Sequence, residues 1–395
     1  MNGSLRPMST EEKTPRALHP KADFWVGRGI FDDLTSFRVL ESRINELPLE
    51  KDRGDVFEIF IEAYLQTQPI TQCAQHWVVG SIPLDVRQKY KLPSDGTGID
   101  GIYQTYDGEY VAYQVKYRQA SHLTLTEVAT FLATADQFAD KVIFTTATTL
   151  KDVAADRSRF INGLTFRELS SGALEKINAW LRSKPEPITR AQPDPRYQTQ
   201  ALSDIEATLA DHDRATVVMA CGTGKTFVSL WAVEQEKPKT VLVLLPSLSL
   251  LKQTLKEWSE HTSWSGRFSY ICVCSDKTVG LANDGLNEDP SEVGFRVDTD
   301  PDTVRRYLKE PSDRVKVVFS TYQSSPVVGE GCAGLPPFDI GVFDEAHKTV
   351  GLAKSTFGYA LSDQNIAIRK RLFFTATPRH YNTRKRDKDG DIKFE

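Results

Sequence analysis

"MACGTGKT", Met219 to Thr226, follows the apolar run "ATVVMA" and opens the stretch "KTFVSLWAVEQE". A strand that turns through glycines into a helix is the setting a phosphate-binding loop requires. Gly222, Thr223 and Gly224 let backbone N–H groups approach phosphate oxygens, and the helix N-terminus adds its dipole. Lys225 is expected to bridge the β and γ phosphates and Thr226 to ligate magnesium. The pattern GxxxxGK[ST] places Gly at 219, where this chain has Met.

Downstream of the loop, strand and helix patterns alternate. "TVLVLLP" reads as a strand and "SLSLLKQTLKEWSEH" as a helix; the strands "FSYICVC", "VKVVFST", "IGVFDE" and "RLFFTAT" follow. Apolar runs without alternation, "ATVVMA" included, predict buried strands of a parallel sheet covered on both faces. Between Ser275 and Asp313 an acidic insertion is expected to be a loop with one short helix. At the end of a later strand, "VFDEAH" supplies two acids. Asp344 is placed to hold the magnesium shell, and Glu345 to polarise the attacking water.

With "FTATP" (Phe374 to Pro378) and "RYQTQA" (Arg196 to Ala201), the order and spacing of these motifs resemble superfamily 2 helicases and translocases of the DEAH-box kind. The resemblance implies ATP as cofactor, Gln198 reading adenine, Tyr197 stacking on the base, and tolerance of Met219. It also implies that Ser247 and Thr321 grip DNA phosphates, with helix capping as the alternative for each. Thr375 and Thr377 would couple nucleotide state to strand grip. Such motors work between two RecA-like lobes, the second supplying arginines. Only the first is legible here, so the sequence is expected to be the N-terminal portion of a longer protein, and this portion alone to have weak ATPase activity. The cluster "RHYNTRKRDK" near the end reads as a solvated charge run or a nucleic-acid contact.

Upstream, "SKPEPITRAQPDP" breaks a helix and reads as a linker over residues 184–195. The expected organisation is a flexible tail (1–25), a first domain (26–183), the linker, and a RecA-like domain (196–395). A length of 395 residues suits two or three domains. The net charge of -4 means that any nucleic acid would be held by local basic strips. Five cysteines, none in CxxC spacing, fit a reducing cytoplasm, and Cys272 and Cys274 read as buried strand thiols. No apolar run suggests a membrane span or a secretory signal.

The first domain reads as α+β. Phe31 to Leu65 has helical spacing, with Phe57, Phe60, Ile61 and Tyr64 able to share one face. His76 and Trp77 are expected to pack in the core. "GIDGIYQTYDGEYVAYQVKYR", Gly98 to Arg118, is a hairpin carrying an acid, a turn, and Gln-x-Lys. On its second strand Gln114 and Lys116 share one face, leaving Val111, Tyr113, Val115 and Tyr117 for the other. The turn decides where Asp100 points. A two-residue loop at Asp107-Gly108 would set Asp100 against Val115, on the wrong side. A three-residue loop centred on Asp107 pairs it with Gln114, and one centred on Gly108 pairs it with Lys116.

The segment Asp55 to Thr146 resembles the Mrr-like branch of PD-(D/E)xK nucleases, which carries Asp, then Gln-x-Lys, with a Glu on the preceding helix. Glu58 in "VFEIF" matches that Glu, and Glu62 is the competing choice. The resemblance implies a mixed-sheet fold in which Glu58, Asp100 and Gln114 hold magnesium and Lys116 stands at the attacking water; the alternative is a nuclease fold that only grips DNA. The two resemblances together suggest the nuclease-translocase portion of a single-chain type ISP-like restriction enzyme: an α/β protein acting on double-stranded DNA. A second lobe, a methyltransferase and a target-recognition domain would follow, and no AdoMet-binding glycine loop or NPPY occurs in this sequence. A DNA repair helicase with an accessory nuclease and an ATP-switched DNA-binding module are the other readings.

Overall fold

The structure is a computed structural model that describes residues 16–93, 95–119, 122–151, 159–185, 187, 190–264, 268–274, 295–346 and 356–376. It divides into two compact units: residues up to 68, 73–104 and 110–188 form the first, and 69–72, 105–109 and 189 onward the second.

The first unit opens with α1 (Ala22–Gly27), α2 (Phe37–Asn45) and α3 (Glu50–Thr67), then β1 (Cys73–Val78), α4 (Leu84–Lys89), β2 (Gly101–Thr105) and β3 (Tyr110–Lys116). It continues with β4 (His122–Thr124), α5 (Leu125–Thr134), β5 (Asp140–Thr145), β6 (Thr149–Lys151), β7 (Arg159–Ile161), α6 (Gly163–Arg167) and α7 (Ser171–Leu181). The main sheet runs β1-β2-β3-β5-β7. It is antiparallel from β2 to β3 and parallel from β3 through β5 to β7, a mixed sheet as expected. One face packs Tyr103, Val111, Tyr113 and Val115 against α3 and α7; the other packs Ile102, Ala112 and Ile143 against α5. Strand parity therefore sorts β3 into the two faces anticipated from its sequence.

Two expectations for this unit change. The shared face of Phe57, Phe60, Ile61 and Tyr64 belongs to a helix buried almost all round, since Ile59, Ala63 and Leu65 are buried as well. Helices α1, α2 and α7 and the sheet surround α3, which makes it a core helix, with the four expected residues buried among others. The tail is also shorter than 1–25: Ala22 and Trp25 of α1 are buried, and Leu18 to Lys21 bond to α3. Residues 1–15 lie outside the described residues.

The second unit contains α8 (Gln198–Asp211), β8 (Arg214–Val218), α9 (Lys225–Gln235), β9 (Thr240–Leu245), α10 (Leu248–His261) and β10 (Phe268–Val273). After these come β11 (Val297–Asp298), α11 (Pro301–Lys309), β12 (Val315–Thr321), α12 (Ser325–Cys332), β13 (Phe338–Phe343) and β14 (Ile368–Thr375). The seven-stranded sheet has the order β11-β10-β12-β9-β13-β14-β8, and its strands pair in parallel. Val241, Val243 and Leu245 of β9 face α8, α9 and α10, while Leu242 and Leu244 face α11 and α12. Apolar residues at consecutive positions thus record a sheet covered on both sides, the RecA-like layering.

Strand β8 is the exception. Expected to be buried, it alternates between exposed and buried residues, and Val218 is 51% exposed. Among the described residues it lies at the sheet edge with β14 as its one neighbour, and its outer row, Arg214, Thr216 and Val218, is exposed. Part of the acidic insertion, residues 275–294, lies outside the described residues; its C-terminal part forms β11 and α11, with Asp300 capping the N–H groups of Asp302 and Thr303. His347, Thr377, Pro378 and the basic cluster after them also lie outside. Cys272 and Cys274 are buried, as anticipated, and burial raises the Cys272 thiol well above the ordinary range. Among the described residues no helix is long and apolar enough to cross a membrane.

Candidate nucleotide and metal sites

In the second unit the parallel sheet brings the ends of β8, β13 and β14 side by side, the place where α/β sheets take ligands. Between β8 and α9, Gly222 and Gly224 adopt φ of 76° and 79°. A side chain at Gly224 would be excluded twice, since its Cβ would also lie 2.6 Å from the Gln198 amide nitrogen. Met219 donates its N–H to the Thr375 carbonyl at 3.0 Å, which ties the start of the loop to the end of β14. Lys225, the first residue of α9, reaches Glu345 at 2.9 Å. Glu345 itself has φ of 49° and donates its N–H to the Asp344 carboxylate at 2.9 Å. Asp344 continues the ladder, its N–H on the Leu244 carbonyl at 3.0 Å and its own carbonyl accepting from the Tyr322 hydroxyl at 2.7 Å. Asp344, Thr226 and Lys225 line one small cavity. The loop lysine and the acid expected at the attacking water are thus already in contact, and a triphosphate would compete with Glu345 for Lys225.

Gln198 is buried and uses both ends of its amide. Its oxygen accepts from the Asp194 N–H at 2.7 Å, and its nitrogen donates to the Thr223 carbonyl at 2.9 Å. The residue expected to read adenine is therefore braced against the loop, while Tyr197 beside it is 41% exposed. Ser247 caps α10, accepting from the Leu250 N–H at 3.3 Å, so the capping alternative is the one realised here. Thr321 departs from both of its alternatives. It is buried, and its hydroxyl donates to Ser324 Oγ at 3.1 Å, because the end of β12 runs into the single 3-10 turn Tyr322–Ser324.

The turn of the β2–β3 hairpin is now fixed. Gly101 pairs with Tyr113, Ile102 with Ala112, Tyr103 with Val111 and Gln104 with Tyr110. Thr105 donates its N–H to Glu109 at 2.8 Å, which leaves the three-residue loop Tyr106–Gly108 centred on Asp107. Gly108 takes φ of 86°, the left-handed position such loops demand. One step beyond Gly101, Asp100 falls opposite Gln114.

Asp100 is held there by the Val115 N–H, which donates to its carboxylate at 2.6 Å. Burial, and then the charge of Glu58, push its carboxyl up to about 6, against the opposing pull of the Val115 N–H and Lys116. Gln114 donates to the Gly98 carbonyl at 3.3 Å, while its amide oxygen is buried with no partner among the described residues. An orphaned buried oxygen on the strand opposite Asp100, whose carboxyl also feels the charge of Glu58, belongs to a donor set that suits a hard divalent cation. Among the described residues no group of three or more His, Cys, Asp or Glu stands ready for a metal, so a site here would draw on the Gln114 amide as well as on carboxylates. Glu62 is otherwise occupied: it accepts from the backbone of Leu18 at 2.6 Å and of His19 at 2.9 Å, and meets His76 at 2.9 Å. His76 is buried and Trp77 is partly buried against the core, as expected for both.

The family described as "Type III restriction enzyme, res subunit" matches residues 193–380. Over 205 residues the chain is 31% identical to the "Probable helicase A859L" of African swine fever virus, a match that takes in 51% of this chain and 22% of the viral protein. A solved structure described as "ATP-dependent Type ISP restriction-modification enzyme LlaBIII bound to DNA" aligns at 26% identity and a TM-score of 0.69 over 92% of this chain. The chain is type ISP-like. Its second unit has a RecA-like fold and resembles the matched restriction-enzyme family. The chain as a whole covers 24% of that solved chain, about a quarter of its length.

One neighbour of Glu58 in the first unit has no counterpart among the residues singled out in the sequence. His19 Nε2 lies 3.5 Å from Glu58 Oε2 and 3.6 Å from Asp55 Oδ1. Burial draws the His19 pKa down, but Glu58, Asp55 and Glu62 outweigh it and leave the pKa raised. His19 sat in the stretch assigned to a tail; the available signal was the row Asp52, Asp55, Glu58 and Glu62 on a single side of α3, too acidic for a core helix without a cationic cover.

Proposed function

We propose that the type ISP-like chain is the nuclease and first motor lobe of an ATP-dependent translocase that cuts double-stranded DNA. The cutting half rests chiefly on the Gln114 amide oxygen, buried without a partner beside Asp100. Leaving such an acceptor unmet costs about 1–3 kcal/mol, which a ligand at that spot would offset. Glu58, Asp100 and Gln114 would hold magnesium, and Lys116 would orient the attacking water. The metal supplies a Lewis acid at the scissile phosphate and an acidified water. In the motor, Gly222, Thr223, Gly224 and Lys225 cradle the ATP phosphates, Thr226 and Asp344 serve the magnesium, and Glu345 aligns the water. Tyr197 and Gln198 flank the base. A second RecA-like lobe, a methyltransferase and a target-recognition domain are expected of the same longer polypeptide.

Nicking of supercoiled plasmid tests this reading. With magnesium the chain should convert supercoiled to open-circular DNA, Lys116→Ala should abolish the conversion, and Lys225→Ala should retain it. Intact DNA binding with no cleavage under any divalent metal would leave the module that only grips DNA.

A further inference from the structure

Four carboxylates, Asp52, Asp55, Glu58 and Glu62, recur at three- and four-residue spacing along one side of α3. A short segment ahead of α1 lies against this row. Leu18 and His19 give their backbone N–H groups to Glu62 at 2.6 and 2.9 Å. Lys21 reaches Asp52 at 3.1 Å and also bonds Asp55. The His19 ring stands between Asp55 and Glu58 at 3.6 and 3.5 Å. The segment therefore engages all four acids, but unequally. Glu62 and Asp55 are buried, whereas the Glu58 side chain remains 36% exposed and, among the described residues, meets the segment through His19 at 3.5 Å.

We propose that Leu18 to Lys21 forms a strap belonging to the nuclease site, in which His19 is a positioning residue for Glu58. This rests on the nuclease reading of Glu58, Asp100 and Gln114. The strap neutralises the acids that α3 cannot leave bare and turns the remaining one toward Asp100, whose carboxyl already feels Glu58. A carboxylate ligand that is itself held by a partner is pre-oriented, and loss of such a partner typically weakens metal affinity about 10- to 100-fold. Lys21 neutralises Asp52 and Asp55 away from Glu58, so it serves as the control within the same strap.

The test measures Mn2+ binding to the nucleotide-free chain by electron paramagnetic resonance, alongside thermal melting and plasmid nicking. The variants are His19→Ala, His19→Gln, Lys21→Ala and Asp100→Asn. Asp100→Asn identifies which binding event belongs to this site. Expected results are about 10-fold weaker Mn2+ binding in His19→Ala, recovery in His19→Gln, which keeps a polar hydrogen-bonding group, and nicking restored to His19→Ala by excess metal. Lys21→Ala should bind Mn2+ as the wild type does, whatever its melting temperature. Wild-type affinity in His19→Ala at an Asp100-dependent site overturns the strap proposal alone. If the wild type has no Asp100-dependent site, the nuclease reading falls and the strap's role falls with it. Should His19→Ala melt early, His19→Gln decides: weak binding in a variant of normal melting temperature also contradicts positioning by hydrogen bonding.

Discussion

Asp100→Asn should stabilise the metal-free protein. Asp100 sits behind the β2–β3 hairpin with its carboxyl raised from the ordinary 3.8 to about 6, by burial first and by Glu58 second. One tenfold change in proton affinity is worth 1.36 kcal/mol, so the rise corresponds to at most about 3 kcal/mol. The sign follows from linkage. A group whose folded pKa lies above its unfolded one contributes stability that is fully present below about 4 and lost as pH rises through about 6. At pH 7.5 the folded protein therefore carries an ionised carboxylate where an amide of the same shape would cost less, and the Asn side-chain oxygen can still accept from Val115. Urea unfolding in EDTA, followed by a probe in the first unit, should place Asn above the wild type by about 1–3 kcal/mol at pH 7.5. The gap should close toward pH 4. Added magnesium or manganese should then raise the wild type and leave Asn unchanged. An Asn variant less stable than the wild type at pH 7.5 without metal, or a gap that does not vary with pH, would refute this reasoning.

Three further outcomes are expected. Phe57 touches Phe37, Phe60 and Phe166 at ring-centroid distances of 6.3, 6.0 and 5.6 Å, so Phe57→Ala should cost the first unit about 3–5 kcal/mol in urea unfolding; a loss under 1 kcal/mol would contradict the core assignment of α3. Glu345→Gln should retain ATP binding in an equilibrium assay while lowering hydrolysis about 100-fold or more, and equal loss of both would make Glu345 a binding residue through Lys225. Gln198→Ala removes the brace on Thr223 and should raise the KM for ATP and for GTP together; loss of discrimination between them with no general weakening would instead favour direct reading of the base.

The second unit was legible because its information is local. Consecutive apolar residues announce strands covered on both faces, and the loop at Met219–Thr226 carries its own geometry in two glycines. Reading β8 as buried failed for a reason composition does not hold: whether a strand is central or at the edge depends on the order of assembly, not on its own residues. Thr321 failed similarly, since a strand-end hydroxyl turns inward or outward according to the turn that follows it.

The first unit was less legible at its centre. A one-residue change in the loop at Tyr106–Gly108 moves Asp100 to the other face of the sheet, and "YDG" permits either length. The register was decided by the three-residue loop with Gly108 in the left-handed position. The strap on α3 lay further out of reach, because it joins residues more than 40 positions apart through backbone donors that have no sequence signature.

The measurement that bears most directly on the central claim is anomalous diffraction from crystals of the chain grown with Mn2+ and without nucleotide. The account predicts a manganese peak in the first unit bonded by Asp100, Glu58 and the Gln114 amide oxygen, and no such peak in Asp100→Asn. Manganese bound elsewhere in that unit, with the Gln114 oxygen still unpartnered, would contradict it.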